Sequence, residues 1–332
     1  MILVTGGTGM VGAHLLYQLV LQGEQVRAIH RPDSSFEGVK TVFGYYSNTP
    51  DTLFKRIEWV VADITDIPEL TNAFKGISRV YHLAAMISFN PSQYRLLRKF
   101  NIEGTANIVN LCIDHNVTKL CYVSSIATLS SETKNKPIDE ESHWNPEEPH
   151  TIYAITKFGA EMEVWRGTQE GLNAVIVNPS VILGAGFWLS GSGKIFGKAK
   201  KGIPFYTRGE MGFVDVEDVA MACIMLMNSP IINERFILNS ENWSYKRLLQ
   251  TITQRLNTPV PKLELKPWIL QIGWRLDWFF HTFFRTRRKL TKRTAATLIN
   301  RKYYNNSKIE QQLGFRFKPL EDSITTICER MK

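Results

Sequence analysis

Apolar residues recur in two patterns that alternate along this chain. Short continuous runs such as residues 2–4 are followed by longer segments in which apolar residues return every three or four positions, as in residues 11–21. The short runs predict strands and the longer segments predict helices. The predicted strands are residues 2–4, 25–30, 57–63, 79–85, 119–126 and 173–180, and the clearest predicted helices are residues 91–115 and 153–171. Residues 31–55 fit neither pattern and are left unassigned.

The alternation of strands and helices predicts an α/β fold. Successive strand–helix–strand units build a doubly wound parallel sheet, with ligands bound at the carboxyl ends of the strands. The 332 residues, of which 44% are hydrophobic, exceed what one such sheet needs. We assign the sheet to residues 1–180 with returning elements at 211–240, and a smaller C-terminal substrate-binding lobe to residues 181–210 and 241–332.

Three glycines separate the first predicted strand from the first predicted helix. They are Gly6, Gly9 and Gly12, spaced three residues apart. Glycine permits a tight turn and a close approach of the backbone to a pyrophosphate, and the N-terminus of the following helix favours negative charge. We therefore predict that a dinucleotide binds here. The predicted contacts are Gly6, Thr8, Gly9, Met10, Val11 and Gly12.

The end of the second predicted strand indicates which dinucleotide is preferred. Arg31 stands where an acidic residue would otherwise bond both hydroxyls of the adenosine ribose. A guanidinium instead attracts a 2′-phosphate through charge-assisted hydrogen bonds. The sequence favours NADP(H), with NAD(H) as the alternative.

A tyrosine and a lysine indicate proton chemistry. Tyr153 and Lys157 are four residues apart in a predicted helix, so both side chains lie on one face. An ammonium beside a phenol favours the phenolate, which brings the tyrosine toward acid–base work. The strand that ends at Ser125 could supply a hydroxyl to the same substrate oxygen. A second Tyr-x-x-x-Lys segment at residues 304–308 has no such strand end just upstream and is interpreted as structural.

Together these residues resemble the extended branch of the short-chain dehydrogenase/reductase superfamily. The resemblance implies a Rossmann-type NAD(P)-binding domain in which Ser125, rather than Ser124, is the catalytic serine. It also implies that Asp63 and Ile64 flank the adenine, that Ala84 and Ala85 line the cofactor cleft, and that Pro179 to Val181 contact the nicotinamide side. The matching segments are residues 5–12, 62–63, 82–85, 101–105, 124–125, 153–157, 178–180 and 213–219.

The same resemblance narrows the chemistry. No acidic pair follows Ser125, so the groups that dehydratases use for water elimination are missing, and residues 179–186 are similar to those of dihydroflavonol reductases and 3β-hydroxysteroid dehydrogenases. We expect hydride transfer between nicotinamide and a carbonyl or hydroxyl. Tyr153 exchanges the proton, Ser125 holds the oxygen, and Lys157 tunes Tyr153 and bonds the nicotinamide ribose. An NAD-dependent nucleotide-sugar epimerase and a non-catalytic NADP-sensing protein are the alternatives.

Positive charge is concentrated in the C-terminal part of the chain. Residues 262–302 contain eleven Lys or Arg against Glu264 and Asp277, a surplus equal to the net charge of +9 of the whole chain. The aromatic-rich segment 268–293 lies within this region and is too interrupted to span a bilayer. It either covers the substrate pocket or lies on a membrane surface as a peripheral contact. No nucleic-acid-binding module accompanies it.

The remaining expectations concern substrate, metal, compartment and assembly. Aromatic residues in the variable segments 86–95, 184–201 and 262–286 favour a bulky apolar small-molecule substrate. The four cysteines and seven histidines show no metal-ligand spacing, so no metal site is expected. The early first strand and the unpaired cysteines favour the cytoplasm, with the inner face of a membrane as the alternative. The family resemblance suggests a homodimer that packs through long helices.

Overall fold

The computed structural model describes residues 1–131, 136–284 and 290–331. Its strands are β1 Ile2–Thr5, β2 Val26–His30, β3 Glu58–Val61, β4 Arg79–His82, β5 Lys119–Val123, β6 Ala174–Pro179, β7 Val181–Leu183, β8 Phe205–Tyr206, β9 Glu210–Asp215, β10 Glu234–Leu238, β11 Glu241–Ser244 and β12 Leu263–Glu264. Seven of them form one parallel sheet in the order β10-β6-β5-β4-β1-β2-β3. The predicted doubly wound α/β architecture is confirmed, and the strand order reverses between β1 and β4.

Helices cover both faces of this sheet. The described helices are α1 Met10–Leu21, α2 Glu37–Tyr46, α3 Pro50–Phe54, α4 Ile67–Ala73, α5 Tyr94–Leu97, α6 Gly104–Asp114, α7 Ile152–Gln169, α8 Gly193–Lys200, α9 Val216–Asn228, α10 Tyr245–Arg255, α11 Pro267–Phe284, α12 Lys292–Thr297, α13 Ser307–Leu313 and α14 Leu320–Glu329. The helices α1, α2 and α9 share one apolar core with the sheet, whereas α4, α6 and α7 share the other. Strands buried on both faces explain the continuous apolar runs in the sequence.

The observed strands end earlier than the sequence pattern suggests. Strand β4 ends at His82 and β5 ends at Val123, although the apolar runs continue to residues 85 and 126. The first extra residue of each run still donates a backbone hydrogen bond to the neighbouring strand, Leu83 to Thr5 and Ser124 to Val177, and the residues after it extend past the edge of the sheet. They are therefore placed at the carboxyl edge, where an open α/β sheet binds its ligands.

Two helical regions differ from their sequence patterns. The unassigned residues 31–55 form α2 and α3, which pack on α1. The predicted helix 91–115 begins with a 3₁₀ turn at Pro91–Gln93 and contains a π-helical turn at Arg98–Glu103 between α5 and α6. A π-helical turn rotates the side chains that follow it relative to an uninterrupted α-helix.

The remaining elements form a second layer beside the sheet. Strands β7, β9 and β11 make a three-stranded sheet, and β8 pairs with β12. The three-stranded sheet, α8, α10 and α14 enclose their own apolar core around Phe196, Phe213 and Trp243. Strand β7 begins two residues after β6 ends, so this second layer starts at the carboxyl edge of the central sheet.

Helix α11 follows β12 and packs mainly against α12. The sequence segment 268–293 includes residues 285–289, which lie outside the described residues. Among the described helices, none combines the length and the apolar character needed to cross a bilayer.

Candidate active site

The glycine turn between β1 and α1 is closed too tightly for any other residue. Gly6 has a φ of +72°, and its carbonyl accepts a hydrogen bond of 3.0 Å from the Gly9 N–H. A Cβ at Gly12 would lie 2.2 Å from that carbonyl oxygen, and a Cβ at Gly6 would lie 2.7 Å from the backbone nitrogen of Ala84. The turn therefore packs against the residues that follow β4, and the first turn of α1 packs against Gly6.

A cleft of about 400 Å³ opens beside this turn. It lies where the strand order reverses, between the ends of β1, β2 and β4. Seven of the residues predicted to contact the cofactor line it: Gly6, Thr8, Gly9, Arg31, Ile64, Ala84 and Ala85. Its wall also includes Ser34 and Phe100, which the sequence pattern did not single out.

The other predicted cofactor residues lie outside this cleft wall. Met10, Val11 and Gly12 form the first turn of α1, and Pro179 and Val181 lie at the junction of β6 and β7. The Asp63 carboxylate accepts hydrogen bonds from the backbone N–H and the hydroxyl of Thr65, both at 2.8 Å. Because that carboxylate stabilises a local turn, the neighbours of Asp63, Ala62 and Ile64, face the cleft instead.

Arg31 reaches the cleft from the end of β2. Its guanidinium forms an ion pair with Asp33 at 3.3 Å, and its side chain remains 51% exposed. The guanidinium carbon lies 5.8 Å from the centre of the Phe100 ring. The Ser34 hydroxyl accepts a hydrogen bond from the Arg31 N–H at 3.1 Å. A cation and a hydroxyl therefore stand together at this end of the cleft.

Ser125 and Tyr153 meet just beyond the carboxyl end of β5. Ser125 lies two residues after the end of that strand, and its hydroxyl oxygen accepts a hydrogen bond from the Ala127 N–H at 3.1 Å. Tyr153 lies in the first turn of α7. Burial raises the pKa of its phenol, and the nearby Ser125 side chain opposes that rise. At neutral pH the phenol therefore holds a proton that it can donate.

The Lys157 side chain contacts Tyr122, a residue that the sequence pattern did not indicate. Its ammonium donates hydrogen bonds to the Tyr122 hydroxyl at 2.6 Å and to the Val123 carbonyl at 2.9 Å. The ammonium also lies 4.3 Å from the centre of the Tyr122 ring. The influence of Lys157 on the Tyr153 phenol stays a prediction. Burial lowers the pKa of Lys157 to about 7, against the opposing charge of Glu161.

Glu161 anchors the polar groups beneath the site. Its buried carboxylate accepts hydrogen bonds from Ser124 at 2.5 Å, Thr128 at 2.8 Å and the amide of Asn178 at 3.0 Å. Ser124 is therefore occupied by Glu161, which leaves Ser125 as the serine that meets Tyr153. The signal for Glu161 was present in the sequence, since Tyr153, Lys157 and Glu161 repeat every four residues along one helix face.

The His82 side chain contacts both Thr5, at the end of β1, and Tyr122 in β5. Its ring is fully buried between the hydroxyls of Thr5, at 2.7 Å, and Thr105, at 2.9 Å, and it stacks on Tyr122 with ring centres 5.4 Å apart. Burial, aided by the charge of Lys157, lowers the pKa of His82 to about 3. The imidazole is therefore neutral near pH 7 and positions its neighbours.

Comparison with protein-family models identifies the family to which this chain belongs. The model for the NAD dependent epimerase/dehydratase family matches residues 2–236, which include the glycine turn, Ser125, Tyr153 and Lys157. The chain belongs to the NAD-dependent epimerase/dehydratase family. It is accordingly an NAD(P)-dependent enzyme, and the resemblance stated from its motifs is confirmed.

Individual proteins match three quarters or more of the chain. Sterol demethylase protein B of Methylococcus capsulatus is 27% identical over 318 residues, which cover 94% of this chain and 92% of that protein. The bifunctional dihydroflavonol 4-reductase/flavanone 4-reductase of Malus domestica is 25% identical over 271 residues, covering 76% and 75%. The crystal structure of gox2253 superposes with a TM-score of 0.82 at 27% identity, covering 100% of this chain and 97% of that one.

The nicotinamide dinucleotide of this family fits the cleft on geometric grounds. At Gly6 and Gly12 the backbone comes so close that a Cβ would fill the space. Such a turn leaves the N-terminus of α1 accessible to a pyrophosphate. Within the described residues, no cluster of three or more His, Cys, Asp or Glu side chains is arranged to hold a metal ion.

Proposed function

We propose that this family member reduces the carbonyl of a bulky apolar small molecule, with NADPH as its preferred cofactor. The observation that carries the proposal is the proximity of the Ser125 and Tyr153 side chains just beyond the carboxyl end of β5. A hydroxyl pair in which one member is a protonated phenol is suited to bind and protonate a carbonyl oxygen.

The residues divide the work of carbonyl reduction. A bound reduced nicotinamide supplies the hydride for the carbonyl carbon. Tyr153 donates its proton to the carbonyl oxygen, and Ser125 holds that oxygen through its hydroxyl. Lys157 stabilises the phenolate that remains and offers its ammonium to the ribose of the cofactor. In the oxidation of an alcohol, the same groups act in the reverse direction.

The surroundings of Ser125 favour reduction over elimination. The three residues that follow it are Ile126, Ala127 and Thr128, none of which carries a carboxyl group. The nearby carboxylate of Glu161 is buried and occupied by three hydrogen bonds. Water elimination needs an acid and a base beside the substrate carbon, and the described residues next to Ser125 supply neither.

The side chains near Tyr153 support an apolar substrate. The ring of Phe89 packs edge-on against Tyr153, with ring centres 5.8 Å apart, and remains about half exposed. Ile87 is exposed nearby in the chain and lines the cofactor cleft. The amide of Asn101 holds this segment through a pair of hydrogen bonds, of 2.7 Å and 3.0 Å, with the backbone of Met86. The named relatives, a sterol demethylase protein and a flavonoid reductase, support the same substrate class.

The preference for NADPH rests on Arg31 and Ser34 at the adenosine end of the cleft. We expect Arg31→Asp to weaken NADPH binding by at least about tenfold, because a 2′-phosphate loses a charge-assisted hydrogen bond and meets a like charge. NADH affinity should be retained or increased. Arg56→Asp is the matched control, since Arg56 is exposed and lies outside the cleft wall. Fluorescence titration with each cofactor measures both affinities.

The reductase assignment is tested by cofactor balance. Purified enzyme is incubated with NADPH and a panel of apolar ketones and aldehydes, and the alcohol and NADP⁺ formed are both measured. The proposal requires one alcohol for each NADP⁺. Interconversion of a nucleotide sugar without net cofactor oxidation would instead establish the epimerase alternative.

A further inference from the structure

Helix α11 presents most of its surface to solvent despite its apolar composition. The structure describes each of its eighteen residues, and Leu270 is the one that is buried. The exposed fraction of the side chains reaches 61% for Trp268 and 65% for both Phe283 and Phe284. Exposed apolar patches of this kind mark interaction sites on soluble domains.

Five of the eight exposed large apolar residues of α11 form one stripe along the helix. Residues three or four apart lie on the same face, and these five recur at that spacing. We call them the apolar stripe: Trp268, Ile272, Leu276, Phe279 and Phe283. At 100° per residue these five positions fall within an arc of about 80°, whereas Leu270 points to the opposite side. The stripe therefore faces away from the protein.

Aromatic contacts at the C-terminal end of the helix are made among the exposed rings themselves. The Phe279 and Phe283 rings lie 4.6 Å apart, and the Phe280 and Phe284 rings lie 5.8 Å apart. The inward face instead packs near Leu290, which lies 3.4 Å from the position of a Cβ at Gly273. The helix is thus seated through the side that carries Leu270 and Gly273 and leaves the apolar stripe uncovered.

Positive charge surrounds the stripe on both sides along the chain. Lys262 and Lys266 precede the helix, Lys292 and Arg293 follow it on α12, and all four are exposed. Residues 285–289 add four more basic residues in sequence, although they lie outside the described residues. The chain outside residues 262–302 has no net charge. The excess charge of the protein therefore falls within the same segment of sequence as α11.

We propose that the apolar stripe of α11 docks on the surface of an anionic lipid membrane. The aromatic and aliphatic side chains enter the boundary between headgroups and acyl chains, and the flanking lysines and arginines bind the lipid phosphates. Amphipathic helices with aromatic residues on one face and basic residues beside it bind membranes in this way.

Charge complementarity selects a membrane over a second copy of this chain. Two copies that met through their apolar stripes would bring two surpluses of nine positive charges together. Like charges brought together across an interface oppose association. An anionic lipid surface instead attracts the same residues, at about 1 kcal/mol for each Lys or Arg near the surface.

Vesicle binding of the full-length protein tests the proposal. The protein is sedimented with vesicles of phosphatidylcholine alone or of phosphatidylcholine mixed with phosphatidylglycerol. We expect binding to the mixed vesicles, loss of that binding at about 0.5 M NaCl, and much weaker binding to phosphatidylcholine alone. The fluorescence of Trp268 and Trp278 should shift to shorter wavelength when anionic vesicles are added.

A pair of matched variants locates the binding surface. The double variant Phe279→Ser, Phe283→Ser should have a partition coefficient for anionic vesicles that is lower by at least about tenfold, because it lacks two aromatic rings that enter the membrane. Leu21→Ser with Ile232→Ser removes two exposed apolar side chains elsewhere and should leave binding unchanged. Circular dichroism and thermal unfolding confirm that both variants fold.

Two results would overturn the proposal. One is equal binding of the stripe variant and its control to anionic vesicles, since the stripe would then take no part. The other is a wild-type protein that does not bind anionic vesicles and that sediments as a dimer, while the stripe variant sediments as a monomer in sedimentation equilibrium. That outcome would assign the stripe to a second copy of the chain. Neither result depends on the substrate or on reductase activity.

Discussion

Two segments of this protein share the pattern Tyr-x-x-x-Lys, yet only one of them builds a site. Tyr153 and Lys157 both lie in α7, one turn apart on one face, and both are directed toward groups at the end of β5. Tyr304 lies before α13 begins, whereas Lys308 lies within it. The second pair therefore does not share a helix face, although its sequence spacing is identical.

The partners of the second pair are structural. The buried Tyr304 ring packs against Ile126 and Leu129 in a small apolar cluster. Lys308 forms an ion pair of 2.8 Å with Glu234, and its ammonium lies 4.9 Å from the Phe236 ring. Both contacts hold α13 against β10. A four-residue spacing thus acquires chemical meaning only where a continuous helix aligns the two side chains beside a ligand cleft.

The largest expected difference between the two segments is in turnover. Tyr153→Phe removes the proton donor, so kcat for carbonyl reduction should fall by about 10²- to 10⁴-fold. The affinity for NADPH should remain, because the phenol lies outside the cleft wall. Tyr304→Phe is the matched control and should retain kcat. Steady-state kinetics and cofactor titration test both variants, and a Tyr153→Phe enzyme of nearly full activity would remove Tyr153 from the mechanism.

Tyr304 is expected to matter for stability rather than for turnover. Tyr304→Ala should lower the free energy of unfolding by about 3–5 kcal/mol, as expected when a large aromatic side chain is removed from a core. Tyr304→Phe keeps the packing and should cost far less. Denaturant unfolding provides the comparison. Equal stability of Tyr304→Ala and the wild type would mean that the ring does not support the core.

The third prediction uses the pH dependence of stability at Lys157. Burial lowers its pKa from 10.5 to about 7, so between these values the unfolded chain binds the extra proton. Its contribution to the free energy of unfolding therefore rises as pH rises, by up to about 1.4 kcal/mol per pH unit. Lys157→Met should lose this slope. Unfolding curves between pH 7 and 10 test it, and parallel profiles for the two proteins would contradict the lowered pKa.

The smallest effect is expected at Lys308. Its ion pair lowers the pKa of Glu234, so the stabilisation is present above the ordinary carboxyl pKa of 4.5 and is lost as pH falls through the lowered value. Because Glu234 is partly exposed, Lys308→Met should cost no more than about 1 kcal/mol at pH 7. The difference between variant and wild type should shrink toward pH 3. A difference that grew in acid would exclude this ion pair as its source.

The periodicity of the sequence predicted the sheet well because strands buried on both faces are continuously apolar. The glycine turn, the Ser125 strand end and the Tyr153 helix were also predictable, since each lies at a boundary between elements. Residues 31–55 were not assignable from their pattern. They form two short helices, and the amphipathic face of each is too brief to establish a period.

The contacts across the site could not be predicted from spacing alone. The Tyr122 hydroxyl accepts the Lys157 hydrogen bond because of how α7 packs on β5, and no local sequence pattern determines the relative position of these two elements. The Asp63 carboxylate also accepts two hydrogen bonds from Thr65 in a local turn, which its position after β3 did not indicate. Ser34 enters the cleft because the chain turns after β2. Such contacts depend on the relative position of separate elements rather than on helix or strand periodicity.

Tyr304 lies far along the chain from the residues that it contacts. The residues on either side of it pair with Ile138: the Ile138 N–H donates to the Tyr303 carbonyl at 2.8 Å, and the Ile138 carbonyl accepts from the Asn305 N–H at 2.9 Å. Every residue of the cofactor cleft lies within the first 100 positions. During synthesis, every residue that lines this cleft is therefore made about two hundred positions before Tyr304, whose ring packs in the apolar cluster beside Ser125.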